Sequence, residues 1–184
     1  MLDLETNKEL NLMGPNNFHF VAQELPKVSL FTSTFNMPGC NLGRAVVPTS
    51  NVDYDVPGDK LVFEDLTISF LVNEFMQNYM EVFNWMAALG FPQSSDQFKR
   101  IRSAEVGNLQ VPFDKEHYQY TETSDILLTI TSNKFNPIIK VNFVDCFPVD
   151  LSQLAFTNTD PTITPVTADV TFDYSYYYFE PIHT

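Results

Sequence analysis

The stretch Thr164-Pro165-Val166-Thr167-Ala168-Asp169-Val170-Thr171-Phe172-Asp173-Tyr174-Ser175-Tyr176-Tyr177-Tyr178-Phe179 decides the fold. Val166, Ala168, Val170, Phe172, Tyr174, Tyr176 and Tyr178 fall on one side of an extended chain, and Thr167, Asp169, Thr171, Asp173 and Ser175 on the other. A strand points successive side chains to opposite faces, so this two-residue period predicts one long strand with a core face and a wet face. Working backwards, Ile138 to Asp145 and Ile126 to Thr131 read as two further strands.

The N-terminal half carries the same β signals. Phe18, Phe20 and Ala22 alternate within Asn17 to Glu24, Leu25-Pro26 breaks the run, and Val28 to Asn36 is a second candidate strand ended by Met37-Pro38-Gly39. Arg44 to Tyr54 runs into Asp55-Val56-Pro57-Gly58-Asp59, where Pro57 presets φ and Gly58 permits a positive φ, the signature of a type II turn. The returning strand, Lys60 to Val72, places Leu61 and Phe63 on odd positions but Leu66, Ile68, Phe70 and Val72 on even ones. That change of parity at Glu64-Asp65 predicts a bulge or a sharp bend.

One segment has a different period. Phe75, Tyr79, Val82, Phe83, Met86 and Leu89 follow helical spacing, with Asn73 as N-cap, Glu74 in the first turn, and Gly90 and Pro92 as a stop. The pattern is therefore mainly β, with one flanking α-helix at about residues 73–89. Residues 1–16 form an N-terminal arm, and 93–124 have no sustained period and read as a long loop, with a short helix conceivable over Ser95 to Val106. A chain of 184 residues, 44% hydrophobic, fills one core, so residues 1–184 are expected to form a single domain.

Composition narrows the function. Ten Lys and Arg against 23 Asp and Glu give a net charge of −13, which repels phosphate backbones and disfavours nucleic-acid binding through a basic patch. The same excess suits a conduit wall, to which DNA must not adhere. Cys40 and Cys146 have no C-x-x-C partner, so neither a zinc site nor a redox pair is indicated, and both read as buried or inert thiols of a reducing cytoplasm. The polar, acidic Met1-Leu2-Asp3-Leu4-Glu5 lacks signal-peptide character, and no apolar run approaches the length of a bilayer.

Catalytic and metal motifs find no support. His19, His117 and His183 are scattered without ligand spacing, and no G-x-S-x-G, G-x-x-x-x-G-K or G-x-G-x-x-G occurs. Asp53, Asp55 and Asp59 lack the glycine and terminal glutamate of a calcium loop and read as a solvated tip. Lys99, Arg100 and Arg102, beside Asp96 and Glu105, suit a neighbour's acidic surface better than phosphate. Trp85 and the tyrosines of 174–178 suit a core or a subunit contact, because they offer large buried area with a polar tip.

Three segments together resemble the tail tube proteins of contractile-tailed bacteriophages. They are Tyr54 to Phe70 with its Gly58-Asp59 turn, the helix ending in Phe83-Asn84-Trp85, and Val144-Asp145-Cys146-Phe147-Pro148 with the closing strand Val170-Thr171-Phe172-Asp173-Tyr174. The resemblance spans roughly residues 17–179. It implies a β-sandwich or half-barrel of two packed antiparallel sheets, shared with type VI secretion tube proteins, in which six subunits close into a ring and rings stack inside a sheath. It also implies a homo-oligomer partnered by sheath protein, baseplate tube initiator and tape-measure protein, built into a virion tail assembled in the host cytoplasm.

On this reading Asp169 and Asp173 are the lumen-facing candidates, repeated around a bore through which DNA passes without sequence-specific contacts. The ring-stacking candidates are Asp55, Gly58, Asp59 and Lys60 at the hairpin tip and Lys99, Arg100 and Arg102 on the long loop. No catalytic residue, metal or cofactor is expected. The unmatched segments 1–16 and 93–124 leave a baseplate-proximal tube initiator as an alternative. A carbohydrate- or receptor-binding β-sandwich of a tail fibre, with aromatics stacking on sugars, is the rival from another class, and an enzyme reading has only the abundance of carboxylates behind it.

Overall fold

A computed structural model describes residues 12–90, 122–157 and 164–182. Its spine is one long strand, β9 (Pro137–Leu151), which turns a corner at Asp145 and so belongs to two antiparallel sheets. Before the corner Val141 and Phe143 point inward; after it Cys146 and Pro148 do, so the inward parity shifts by one residue. Asp145 supplies the extra residue at φ 57, a left-handed conformation that a short polar side chain tolerates by bonding locally. Its N–H donates to Asp125 Oδ1 at 3.2 Å, and its carboxylate accepts the Ser175 hydroxyl at 3.3 Å.

The first sheet runs β1 (Phe18–Ala22), β8 (Ser124–Thr131), the first half of β9, then β11 (Tyr176–Pro181). The second runs from the end of β9 through β10 (Thr167–Asp173) and β7 (Leu66–Leu71) to β2 (Thr32–Asn36). Phe20, Ile126, Leu128, Val141 and Phe143 from one inner face meet Leu66, Ile68, Phe70, Val170 and Phe172 from the other in a single cluster. Each such fully buried large side chain contributes roughly 1.5–3 kcal/mol. The mainly β sandwich expected from the sequence is the architecture observed.

Several local expectations are corrected. The closing stretch is two strands, because the chain crosses between sheets at Tyr174-Ser175 beside the β9 corner, where Ser175 N–H donates to the Val144 carbonyl at 3.0 Å. Parity flips there, so Tyr177 packs on the core while Tyr176 and Tyr178 are exposed. Val28 to Asn36 is not one strand either; α1 (Pro26–Phe31) precedes β2. Pro26 opens that helix, and its N-terminal Lys27 N–H is capped by Glu81 Oε2 at 3.1 Å, a partner 54 residues away that no local pattern reveals.

The main helix, α2 (Gln77–Gly90), starts later than expected. Met76 sits at φ 54, and Asn73 Oδ1 accepts from Gln77 N–H at 2.7 Å, so Asn73 caps across an intervening turn and Glu74 lies outside the helix. Its buried face is also rotated: Val82, Trp85 and Ala88 face inward, with Trp85 6.3 Å from Phe172, whereas Phe75 and Phe83 are exposed. Asn78 and Glu81 are buried because each satisfies backbone ends of neighbouring elements, Asn78 Nδ2 donating to the Leu71 carbonyl at 2.6 Å. Pro92 lies outside the described residues.

The parity break at Glu64-Asp65 is observed as the gap between β6 (Val62–Phe63) and β7. There the β2–β7 hairpin continues as an arm through β3 (Cys40–Asn41) paired with β6, then β4 (Arg44–Val47) paired with β5 (Tyr54–Pro57). Gly39 O accepts Glu64 N–H at 3.0 Å and Gly43 O accepts Gly58 N–H at 3.2 Å, stitching the three ladders together. Phe63 anchors the arm's base, 5.1 Å from Tyr177 and 6.1 Å from Tyr174.

Candidate functional site

The outer face of the second sheet is polar throughout its middle. Asp169 lies opposite Ser69 on β7, Thr171 lies between Thr67 and Asp150, and Asp173 faces outward at the end of β10. Both aspartates are exposed. The backbone of Asp169 exchanges two 2.8 Å hydrogen bonds with Ser152, Asp173 Oδ1 accepts Tyr174 N–H at 2.8 Å, and the Thr67 and Thr171 hydroxyls sit 3.4 Å apart. None of the strands in this sheet contributes a Lys or Arg to it. Small hydroxyls and uncompensated carboxylates make a wetted, anion-repelling surface.

Two strand margins of this sheet pair with nothing among the described residues: the outer side of β2, and the outer side of Phe147 to Leu151 where β8 has already ended. Unpaired N–H and C=O groups there are templates for another strand.

The arm beyond Gly43 touches no core. Every residue of β4 and β5 is exposed, including Val46, Val47, Tyr54 and Val56. The register Ala45↔Val56 and Val47↔Tyr54 collects four apolar side chains on one face of the ribbon. The other face carries Arg44, whose guanidinium contacts Asp55 Oδ2 at 2.9 Å across an exposed pair worth little in stability.

The expected turn is corrected. Asp55 lies within β5, the turn falls at residues 48–53, and Gly58, Asp59 and Lys60 lie at the stem. Gly43, not Gly58, has the positive φ, +70. Gly58 is required by space, since a Cβ there would overlap the Leu42 carbonyl oxygen. Lys99, Arg100 and Arg102 lie outside the described residues.

Chemistry of other kinds is poorly served. Among the described residues no three His, Cys, Asp or Glu could hold a metal. His19 is exposed on β1, and His117 and His183 lie outside the described residues. Cys146 is buried, and desolvation with Asp125, Asp145 and Asp173 nearby pushes its thiol up to about 12, which leaves it protonated and inert. Cys40 is exposed. Tyr174 donates to the Glu64 carbonyl at 2.7 Å, and burial raises its hydroxyl pKa. Trp85 is core and cannot serve as a stacking platform.

The described residues include two open grooves. One, about 540 Å³, lies between β1 and β2 and is lined by Phe18, His19 and Phe35 among others. The second, about 590 Å³, lies by the β8–β9 turn and Leu12-Met13. Neither lining contains a carboxylate. No helix of the described residues is long and apolar enough to cross a membrane.

A family model described as "Phage tail tube protein" matches residues 2–180. No curated protein sequence matches the chain. Among solved structures the chain is similar to one in the PVC sheath–tube complex of an extracellular contractile injection system in its extended state, with 11% identity, TM-score 0.53, and 99% and 100% of the two chains covered. It is also similar to a chain of the tube-terminating cap of the anti-feeding prophage, with 12% identity, TM-score 0.58, and 94% and 93% covered. A chain of that particle's baseplate gives 8% identity, TM-score 0.54, and 89% and 90% covered. At these identities the likeness concerns the fold.

Proposed function

The chain belongs to the phage tail tube protein family, and from that premise we propose that it is the structural subunit of a contractile tail's tube and catalyses nothing. Copies close into a hexameric ring, rings stack, and DNA passes along the bore during ejection. Sheath protein encloses the tube, a baseplate initiator starts it, a tape-measure protein occupies it during assembly in the host cytoplasm, and residues 1–184 act as one domain. The contractile setting is supported by the fold shared with chains of sheath–tube and baseplate assemblies.

One observation carries the reading: among the described residues, a sheet with an acidic, hydroxyl-rich, cation-free outer face ends on both sides in unpaired strand margins. Joining β2 of one copy to the Phe147–Leu151 margin of the next removes both exposures, and repetition around an axis closes the sheets into a barrel. Asp169 and Asp173 then recur around the lumen beside Asp150, repelling phosphate, so DNA slides without sticking. The exposed arm, with Asp55, Gly58, Asp59 and Lys60, supplies contact between rings, and Lys99, Arg100 and Arg102 add opposite charge at the stacked surfaces.

Cryo-electron microscopy of the assembled tube tests this. The expected result is a hollow tube of stacked six-subunit rings with Asp169 and Asp173 facing the bore. Both side chains buried between subunits, or a bore lined by lysine and arginine, would overturn it.

A further inference from the structure

The arm presents an apolar face with no cover among the described residues, and the two grooves offer different surfaces to it. The groove by the β8–β9 turn is walled by Leu12, Met13, Ile130, Ile138 and Ile139, with Leu12 86%, Met13 69% and Ile138 44% exposed. Among the described residues its single charged lining residue is Lys134, exposed in the turn. Among the described residues the groove between β1 and β2 is lined by no lysine or arginine, and the backbone margins of two strands border it.

Resting on the reading of the arm as an intersubunit contact, we infer that the arm of one copy docks in the β8–β9 groove of a second copy. Val47, Tyr54 and Val56 lie against its aliphatic walls, and Asp53 meets Lys134. Size agrees: a ribbon of four paired residues is about 13 Å long, and the groove of about 590 Å³ has room for its apolar side chains. Charge selects this groove over the other. At the arm's end Asp55 is already paired with Arg44, so Asp53 in the turn is the carboxylate left for a partner's cation. Aliphatic contacts would supply affinity, and the Asp53–Lys134 pair would set register and suppress wrong docking.

Full-length chains in a Cys40→Ser background test the pairing, with folding checked by thermal melts. Val47→Cys and Ile138→Cys proteins, differently tagged, co-expressed and then treated with a thiol oxidant such as copper–phenanthroline, are expected to form a disulfide-linked heterodimer that neither variant forms alone. Asp53→Lys and Lys134→Asp should each raise the concentration needed for polymerisation about tenfold, and combining them in one chain should restore it. A folded protein that shows neither the crosslink nor the charge rescue overturns the groove assignment. An arm shortened by residues 47–54 separates the two layers: if it polymerises normally, the arm is not a contact at all. If polymerisation is lost while crosslink and rescue are absent, the arm reading stands and only the groove is wrong.

Discussion

Gly58→Ala probes the link between the arm's geometry and assembly. A Cβ at Gly58 would meet the Leu42 carbonyl oxygen well inside the ~3.3 Å of an ordinary carbon–oxygen contact and would also lie 3.2 Å from the Gly43 carbonyl carbon. The obstruction is backbone, so no rotamer change relieves it, and the stem must part. Parting breaks the Gly58 N–H to Gly43 O bond, 3.2 Å long. Losing that bond costs about 0.5–1.5 kcal/mol and the overpacking about 1–3 kcal/mol. Together these raise the population of the open arm roughly 10- to 2,000-fold. Because no residue of β4 or β5 is buried, the core should not register the change. Hydrogen exchange should therefore accelerate at the Ala45 and Val56 amides, which face each other in the hydrogen-bonded register set by the Gly58–Gly43 bond, while the melting temperature stays within about 2 °C, and electron microscopy should show rings or monomers in place of tubes. Gly90→Ala, where an added Cβ meets nothing within 4 Å, is the matched control. Unchanged exchange with normal tubes would refute the close-approach argument, and a large fall in melting temperature would refute the arm's independence from the core.

Trp85→Ala should cost about 3–5 kcal/mol and lower the urea midpoint accordingly, whereas Phe83→Ser should change stability by less than about 0.5 kcal/mol; equal effects would mean that the helix face is misassigned. At the β9 corner, Asp145→Ala keeps a Cβ at φ 57 and loses the carboxylate bond to Ser175, while Asp145→Gly loses only the bond. The alanine variant should therefore be the less stable by about 1 kcal/mol in chemical denaturation, and the reverse order would exclude backbone strain at the corner. Burial raises the Glu81 pKa above its usual 4.5, with the Lys27 N–H partly opposing. The folded state then binds the proton more tightly than the unfolded chain. Its stability contribution is full below the unfolded value and is lost as pH rises through the raised one. The stability of the natural protein relative to Glu81→Gln should thus fall as pH rises from about 4.5 to 7.5, read from melts of both, and a pH-independent difference would exclude Glu81 as the titrating group.

Legibility in the sequence followed the range of the interaction responsible. The alternation of Ala168, Val170 and Phe172 against Asp169 and Asp173 showed both a strand and its wet face, since inward and outward faces are a property of neighbouring residues. The parity break at Glu64-Asp65 was legible for the same reason. Tyr176 and Tyr178 were assigned to the wrong face because the corner at Ser175 is imposed by β9, whose own bulge at Asp145 carries no local turn signature. Helix α1 was missed because its cap, Glu81, lies on another helix. The hairpin was found but misplaced: Pro57-Gly58 has the composition of a turn, while the glycine serves a close backbone approach to Leu42.

By itself the sequence determined the β class, the period-3.6 helix, the acidic balance and the candidates Asp169 and Asp173, all of which depend on side-chain identity and short-range spacing. Tertiary structure alone decided that β9 serves two sheets, that one sheet has margins at β2 and at Phe147 to Leu151 left unpaired among the described residues, and that Val46 to Val56 stand clear of the core. Those features depend on which distant segments meet, and hydrogen bonds and packing between strands far apart along the chain leave no periodic trace in either partner.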